Sequence, residues 1–530
     1  MKKYKNTLSV FDLSFKNICL ILGMCVSLIL SILSGILFSN ILDLLSESQM
    51  NKSYEMNKIL LFFVLTVLSS AASVIFSQFL PLSFQLKKSI LSSQNTMAGL
   101  LNMSQKSYKK FDSGYYMNLT TSSSFTYGDI CSHMNIQLPA NILCVIIILL
   151  FVMKVSFIFG LIFLAYIPLF YLVVRIPGRK VAEFQKSGLP TQDAFLSETK
   201  RIVDSKREIN IAGVSSFYIS RYKDKSNEFL NFMQKFKLFD ILSQNVPDAL
   251  SKMFQVFTFC VSVFLFYQER LTIGTIILVF QLSSLMQNPV NRCFEILIHK
   301  TTNRVHLERL QEFANLSKEK SGFDKYYKSI SDVAIIKNTD FFTSDEKEKL
   351  LFHIDELIIK KKDLIVIKGA NGTGKSMFVN FLTGFSEADS INGFIEMDNS
   401  LKFSSYLSYP IIFLNGTLSD NMFDGIVKEE LFDVLDIDFK DKIIEDSGNN
   451  LSLGQRQKLH LLRTLSKETN LFILDEPFSN LDKETAIKLT EYIISLKGEK
   501  TVLVIVHSDE FDRYANMILR IENQKMCQIS

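Results

Sequence analysis

The chain has no tryptophan, only nine prolines in 530 residues, and no Cys-x-x-Cys pair among its seven cysteines. The odd count and missing pair spacing exclude a disulfide framework and a zinc ribbon. Cys19, Cys25, Cys144 and Cys260 lie inside apolar runs, where a thiol serves as small hydrophobic filler. His133 stands near Cys131, but no further ligand is near it in sequence, so no metal centre is expected there. Charge is scarce too, at 21% of residues, and it gathers outside the apolar segments. A net charge of +4 is too small for a nucleic-acid footprint, so no nucleic-acid partner is expected. What abounds is Phe, Ile, Lys, Asn and Ser, which, without Trp, is the composition of a bacterial protein from an AT-rich genome. The hydrophobic fraction of 48% exceeds what a soluble protein of this length needs, and the length itself calls for two or more domains.

Long apolar runs dominate the first half. The runs 18–38 and 59–80 are each long enough to cross a hydrocarbon core of about 30 Å as helices. Residues 136–174 are twice that length and are interrupted by Lys154, which splits them into spans at 136–153 and 155–174. Further spans are expected at 249–267 and 271–286, separated by Glu269-Arg270; the weaker fifth run also fits a buried soluble helix. Lys2, Lys3 and Lys5 precede the first span, whereas Asp43, Glu47 and Glu55 outweigh Lys52 after it, which places the amino terminus in the cytoplasm. In the second half Gly369–Ser376 fits the phosphate-loop pattern G-x-x-x-x-G-K-[ST], so that half binds a nucleotide and must lie on the same side; the number of spans is then even, and six satisfy this. The basic residues between Arg175 and Lys225 fall on the same inner side. A cleaved signal peptide does not fit the first run, whose apolar core is too long and lacks a small-residue cleavage site. The expected organisation is a transmembrane domain over 1–316, a linker over 317–328 and an ATP-binding domain over 329–530, in a multi-pass protein of the bacterial cell membrane. The fold class is therefore multidomain, an all-α six-helix membrane part followed by an α/β P-loop ATPase part. The segments 86–103 and 195–239 lack proline and read as helical cytoplasmic extensions of the spans, with a turn at Phe111-Asp112-Ser113-Gly114 interrupting the first loop.

In the second half Gly369-Ala370-Asn371-Gly372-Thr373-Gly374-Lys375-Ser376 fits the pattern G-x-x-x-x-G-K-[ST]. The apolar run Leu364-Ile365-Val366-Ile367 before it reads as a buried strand, and Met377 to Leu382 after it as a helix. In such a loop the glycines let successive backbone N–H groups face phosphate oxygens, Lys375 adds a charge, and Ser376 is placed to ligate Mg²⁺. The strand Leu471 to Leu474 ends in Asp475 and Glu476. Asp475 suits a Mg²⁺ ligand, directly or through water, and Glu476 a general base that polarises the attacking water. Leu451-Ser452-Leu453-Gly454-Gln455 opens an amphipathic helix, so a second helix amino terminus faces an anion. Ser479-Asn480-Leu481-Asp482 follows, and the strand Thr501 to Val506 ends at His507, whose imidazole can hold the γ-phosphate and the attacking water.

This ordered set after six spans resembles the ABC transporter family, specifically its exporters with membrane and ATPase parts fused. The resemblance implies a half-transporter that binds ATP and Mg²⁺ and pairs with a second half-transporter. A homodimer is favoured, with a heterodimer also open. Each ATP would lie between one chain's phosphate loop and the other chain's Leu451-Ser452-Leu453-Gly454-Gln455. Phe111 to Thr121 looks like a region that passes closure to the spans. Three departures stand out. Tyr409 occupies the place of the family's glutamine, and a tyrosine offers no amide oxygen to Mg²⁺. Strict alignment puts Thr343 where the family stacks an aromatic on adenine, with Phe341 and Phe342 adjacent; Phe342 is the choice here. The stretch from Lys375 to Ser452 looks compact, so a trimmed helical subdomain is expected.

A transport path calls for polar side chains within the spans. Ser27, Ser31, Ser34, Ser69, Ser73, Ser77, Gln281 and Gln287 are candidates, with close helix packing as the other reading for the serines. Glu295 either faces an aqueous cavity or sits beyond the inner leaflet. Compact fused half-transporters of this kind often export peptides, so the expected partners are membrane lipid and an exported peptide. A drug or lipid substrate is the alternative, and a membrane ATPase that senses without transporting is a more remote one. The stretch before Ile18 is too short for an amino-terminal cysteine protease domain, so leader-peptide cleavage is not expected.

Overall fold

The computed structural model describes residues 14–46, 52–318, 326–342, 350–385, 391–422, 426–509 and 511–529. Lys2, Lys3, Lys5, Glu47, Thr343 and positions 319–325 of the expected linker lie outside the described residues. The chain divides into two compact units, Met1–Asn102 with Lys109–Lys318, and Met103–Tyr108 with Glu319–Ser530.

Six helices of the first unit are long and apolar enough to cross a membrane: α1 (Phe15–Leu44), α2 (Asn57–Leu101), α3 (Ser113–Val155), α4 (Phe157–Asp204), α5 (Ser215–Tyr267) and α6 (Ile273–Thr302). A seventh, α7 (Arg304–Leu316), follows a break at Asn303. The apolar runs seed these helices but do not bound them. Beyond the spans they continue with mixed composition, α2 to Leu101 and α4 to Asp204. The segment read as one helix from 195 to 239 is broken at Ser205 and again at Ala212–Val214. The third and fourth spans part at Ser156 rather than at Lys154. Ser156 is extended (φ −159°, ψ 125°) and separates α3 from α4, while Lys154 stays in the last turn of α3, where its charge suits the carboxyl end of the helix dipole. Likewise the sixth helix begins at Ile273 and not at Leu271, because Thr272 caps it by accepting from the Thr275 N–H.

Within α2 and α3 the turns Val74–Phe79 and His133–Gln137 widen to π geometry. Pro81 and Pro139 follow them; a proline lacks the N–H for the i−4 bond and its ring pushes that carbonyl aside. Phe159, Phe163 and Phe170 of α4 are fully buried against Ile148 of α3 and Met286 of α6. Leu60, Phe63, Leu150, Leu172 and Phe264 are exposed apolar side chains on helices long enough to cross a membrane. At one end of α1, Asp43 accepts hydrogen bonds from the Gly274 N–H (2.7 Å) and the Thr272 hydroxyl (3.0 Å), so a carboxylate sits on the amino terminus of α6.

The second unit is built on one ten-stranded mixed sheet. Its strands are β1 (Tyr327–Lys328), β2 (Ala334–Phe342), β3 (Leu350–Ile359), β4 (Leu364–Gly369), β5 (Ile391–Asp398), β6 (Ser405–Leu407), β7 (Leu471–Asp475), β8 (Thr501–Ile505), β9 (Met517–Glu522) and β10 (Lys525–Gln528). The order across the sheet is β1-β5-β2-β3-β10-β9-β4-β8-β7-β6. Tyr327 and Lys328, read as the end of a linker, pair with Met397 and Asp398 and open the sheet. Helices α8 (Lys375–Leu382), α9 (Glu430–Val434), α10 (Leu453–Ser466) and α11 (Lys483–Ser495) accompany it. Among the described residues, the short α9 is the only α-helix between α8 and α10.

Strand β4 is buried on both faces, which is why it reads as a continuous apolar run. Ile365 and Ile367 enter one core with Phe378 and Phe381, while Leu364 and Val366 enter the other with Leu461 and Leu489. The strands β9, β4, β8, β7 and β6 run parallel to one another. Parallel pairing brings their carboxyl ends to a single edge, and that edge carries the chemistry.

Candidate functional site

The loop after β4 must leave the sheet and start α8 within a few residues, which requires backbone conformations open to glycine. Gly372 and Gly374 have φ of +83° and +104°. A Cβ on Gly374 would also stand 2.8 Å from Phe352 Cε1, so the position is closed to other residues on two counts. The Thr373 hydroxyl donates to the Ala370 carbonyl (2.9 Å). Lys375 is buried at the centre of the loop and its ammonium donates to the carbonyls of Gly369 (2.6 Å) and Ala370 (3.1 Å). Burial holds its pKa below the usual lysine range, against the opposing pull of Asp475 and Glu476. Ala370, Asn371, Gly372 and Ser376 are exposed, so the loop's outer face is open to a ligand.

Asp475 closes β7, two strands from β4 across β8. Its carboxyl pKa is raised, first by burial and then by the neighbouring Glu476; Lys375, Tyr406 and His507 pull the other way. Glu476 turns out of the strand with φ +47°, a left-handed conformation rare for a side-chain-bearing residue, fixed by its N–H to the Ile505 carbonyl (3.1 Å). This turn swings its carboxylate towards the end of β8, where Oε1 lies 3.1 Å from His507 Nε2. Both side chains are about half exposed, which leaves the pair accessible to water.

The next segment folds back on Glu476. The Ser479 hydroxyl donates to the Glu476 carbonyl (3.0 Å), and Asn480 also takes a positive φ of +59°. Asp482 caps α11 by accepting from the N–H (2.9 Å) and hydroxyl (2.7 Å) of Thr485, which hold its carboxyl down to about 2. Ser452 caps α10 in a reciprocal box with Gln455, whose side chain also takes a bond from Lys442 (3.3 Å). A Cβ on Gly454 would stand 3.0 Å from the Asn480 carbonyl, so the start of α10 packs against the 479–482 segment. Leu451 is buried, whereas Leu453 is 66% exposed, an apolar side chain left standing at a helix amino terminus.

Tyr409 is not idle. Its hydroxyl bonds the side chain of Gln457 and lies 3.3 Å from the Ser479 hydroxyl, so it ties α10 to the segment after Glu476. Phe341 is a core residue, stacked on Phe352 at 4.7 Å between ring centroids, which leaves the partly exposed Phe342 as the aromatic available at the end of β2.

Two contributors escaped the sequence reading. Tyr406 on β6 hydrogen-bonds the Asp475 carboxylate; burial first, then Asp475, push the phenol's pKa well above its usual value. Lys368 on β4 is buried and bonds Asp509 and Asp512, anchoring the chain just past His507 to the strand that bears the loop. Burial alone would lower its pKa, but the two carboxylates hold it raised. The one local signal for Tyr406 is a polar-tipped aromatic between Ser405 and Leu407 on a short, otherwise buried strand. Tyr406→Phe should lower kcat/KM for ATP by about tenfold or more, the effect of losing a hydrogen bond to a charged group. Steady-state hydrolysis over a Mg²⁺ titration checks this, and an unchanged kcat/KM would remove Tyr406 from the site.

Residues 17–290 match the ABC transporter transmembrane region family model and residues 352–479 match the ABC transporter family model. A subtilin transport ATP-binding protein of Bacillus subtilis is 22% identical over 391 residues, covering 68% of this chain and 64% of the relative. An ATP-dependent lipid A-core flippase of Wigglesworthia glossinidia brevipalpis is 24% identical over 358 residues, covering 62% and 60%. The chain thus spans just under two thirds of the length of either relative. A solved structure of a bacterial Atm1-family ABC exporter with ATP bound has the same fold, with TM-score 0.79 at 15% identity over 96% of this chain and 94% of that one.

Proposed function

Because the chain belongs to the ABC transporter family, we propose that it is an exporter half-transporter that uses ATP hydrolysis to move a peptide across the bacterial cell membrane. The observation that carries this reading is the Glu476–His507 pair, 3.1 Å apart beside the phosphate loop, in a chain that also has six helices long and apolar enough to cross a membrane.

The phosphate loop from Gly369 to Ser376 holds the β- and γ-phosphates on its backbone N–H groups, with the Lys375 ammonium beside them. Phe342 flanks the adenine. Glu476 takes the proton from the attacking water, and His507 orients both that carboxylate and the γ-phosphate. Ser376 and Asp475 would hold a Mg²⁺ ion, since burial first and the neighbouring Glu476 second raise the Asp475 pKa, and a cation there would offset both. A Mg²⁺ ion held by these two residues would supply charge neutralisation at the phosphates.

A second half-transporter completes the site. The exposed Leu453 and the capped start of α10 suit a partner's nucleotide, with Leu451, Ser452, Gly454 and Gln455 around them. Ser479, Asn480, Leu481 and Asp482 lie against that helix start and would report the partner's state to Glu476. Tyr409 transmits through its hydroxyl to Gln457 and Ser479 instead of through an amide. Two identical chains are the favoured dimer. The amino terminus and the ATPase unit face the cytoplasm, and 111–121 passes closure to the spans.

The peptide reading rests on the resemblance to compact fused half-transporters and on the relative named for subtilin transport; the relative named as a lipid A-core flippase favours lipid movement as the second reading. Inside-out vesicles holding the purified chain distinguish them. We expect ATP-dependent accumulation of a labelled peptide, abolished in Glu476→Gln. Flipping of a labelled lipid without peptide uptake would replace the first reading with the second. Hydrolysis with neither would leave only a non-transporting ATPase.

A further inference from the structure

Beside Cys131, His133 has one potential ligand near it in sequence, Asp129, which the sequence reading passed over, and the fold brings a second from far along the chain. Asp129 lies one turn before it on α3, and His299 arrives from the last turns of α6. One ligand atom from each of the three lies within 4.8 Å of the other two. The two imidazoles share a single carboxylate: His299 Nε2 is 3.0 Å from Asp129 Oδ2, and His133 Nε2 is 3.5 Å from Asp129 Oδ1. The rings stand edge to face with centroids 5.1 Å apart.

One carboxylate serves both imidazoles, and the His133 contact is at the outer limit of a hydrogen bond. The Nδ1 atoms of both rings are buried without a hydrogen-bond partner, so each ring faces the shared carboxylate through Nε2. Ligands at about 2.0–2.2 Å in a tetrahedral shell stand roughly 3.3 Å from one another. The three donors here lie within 4.8 Å of one another, so small side-chain shifts would close them on one ion. Two imidazole nitrogens and one carboxylate oxygen are a donor set for borderline first-row cations, whereas Mg²⁺ and Ca²⁺ require oxygen. The nearby Arg292 is engaged by Glu295 at 3.0 Å.

We propose that Asp129, His133 and His299 form a Zn²⁺-type site that fastens α3 to α6. Asp129 and His133, four residues apart, present both ligands on one helix face. Three protein ligands leave a fourth position for water or an incoming group. The ion braces α3 at its widened turn His133–Gln137 against the end of α6, from which the chain continues into α7.

The test uses the full chain in lipid nanodiscs, without a histidine tag and stripped by chelator. Zn²⁺ is titrated calorimetrically, and Co²⁺ substitution reports geometry through its visible spectrum. We expect one Zn²⁺ per chain, a tetrahedral Co²⁺ spectrum, and a rise in unfolding temperature that EDTA reverses. His133→Gln and His299→Gln should each weaken binding by at least about tenfold, while His306→Gln, outside the trio, should not. His299→Cys keeps a ligand and should retain binding with an added thiolate-to-Co²⁺ band, which separates ligation from folding. Absence of a stoichiometric site, or binding that survives both glutamine variants, would overturn the proposal.

Discussion

Glu476→Gln should reduce ATP hydrolysis by about 10²- to 10⁴-fold, the range that a positioned general base contributes, while ATP still binds. The carboxylate is held by a backbone turn rather than by side-chain packing: φ is +47° at Glu476 and its N–H is bonded to Ile505. Glutamine has the same shape and tolerates that turn equally, so the loop, Asp475 and the His507 imidazole keep their places. What is lost is the ability to accept a proton from water. The amide can still bond His507, so the variant should retain nucleotide and hold the paired state longer. Phosphate-release rates and retention of labelled ATP read the two effects separately. Hydrolysis within an order of magnitude of the parent would assign the base to another group.

Phe378→Ala should destabilise the ATP-binding unit by about 3–5 kcal/mol, the cost of removing a phenyl ring from a closed core. Phe378 is fully buried on α8, directly behind the phosphate loop, edge-on to Phe341 (6.2 Å) and Phe352 (6.3 Å). Phe352 also bounds the space beside Gly374, so the cavity would open under the turn that sets the loop's curvature. ATP binds the folded loop alone and should restore part of the loss in proportion to its saturation. The chain has two units, so hydrogen exchange of β4 and α8 is a better probe than a single melting temperature. A loss below about 1 kcal/mol would mean that the aromatic cluster closes over the gap.

The membrane half was legible as a count of spans and far less so as a set of contacts. Gln281 and Gln287 read as candidates for a transport path. In the fold, Gln287 donates to the Ser251 carbonyl (3.0 Å), and Gln281 fills the space beside Gly35. Ser27, Ser31, Ser34, Ser69 and Ser77 each return their hydroxyl to a carbonyl of their own helix, as an isolated hydroxyl in an apolar setting does. Glu295 is paired with Arg292 and remains partly exposed. Composition within a span reports that a residue is polar, and its partner is chosen by helix rotation, which no local pattern encodes.

Sequence by itself determined the parts whose physics is local. Six runs were long and apolar enough to cross a bilayer, and Gly369–Ser376 was constrained by backbone curvature within eight neighbouring residues. Asp475, Glu476 and His507 were marked because each stands at or just past the end of a buried strand. Tertiary structure decided what depends on pairing across long stretches of chain. Parallel register alone sets β7 beside β8 and so brings Glu476 to His507. It also turned Tyr406 onto Asp475, fixed Lys368 between Asp509 and Asp512, and carried His299 to Asp129 and His133. Each of these contacts joins groups from separate elements, and only the packing of those elements selects their distance and angle.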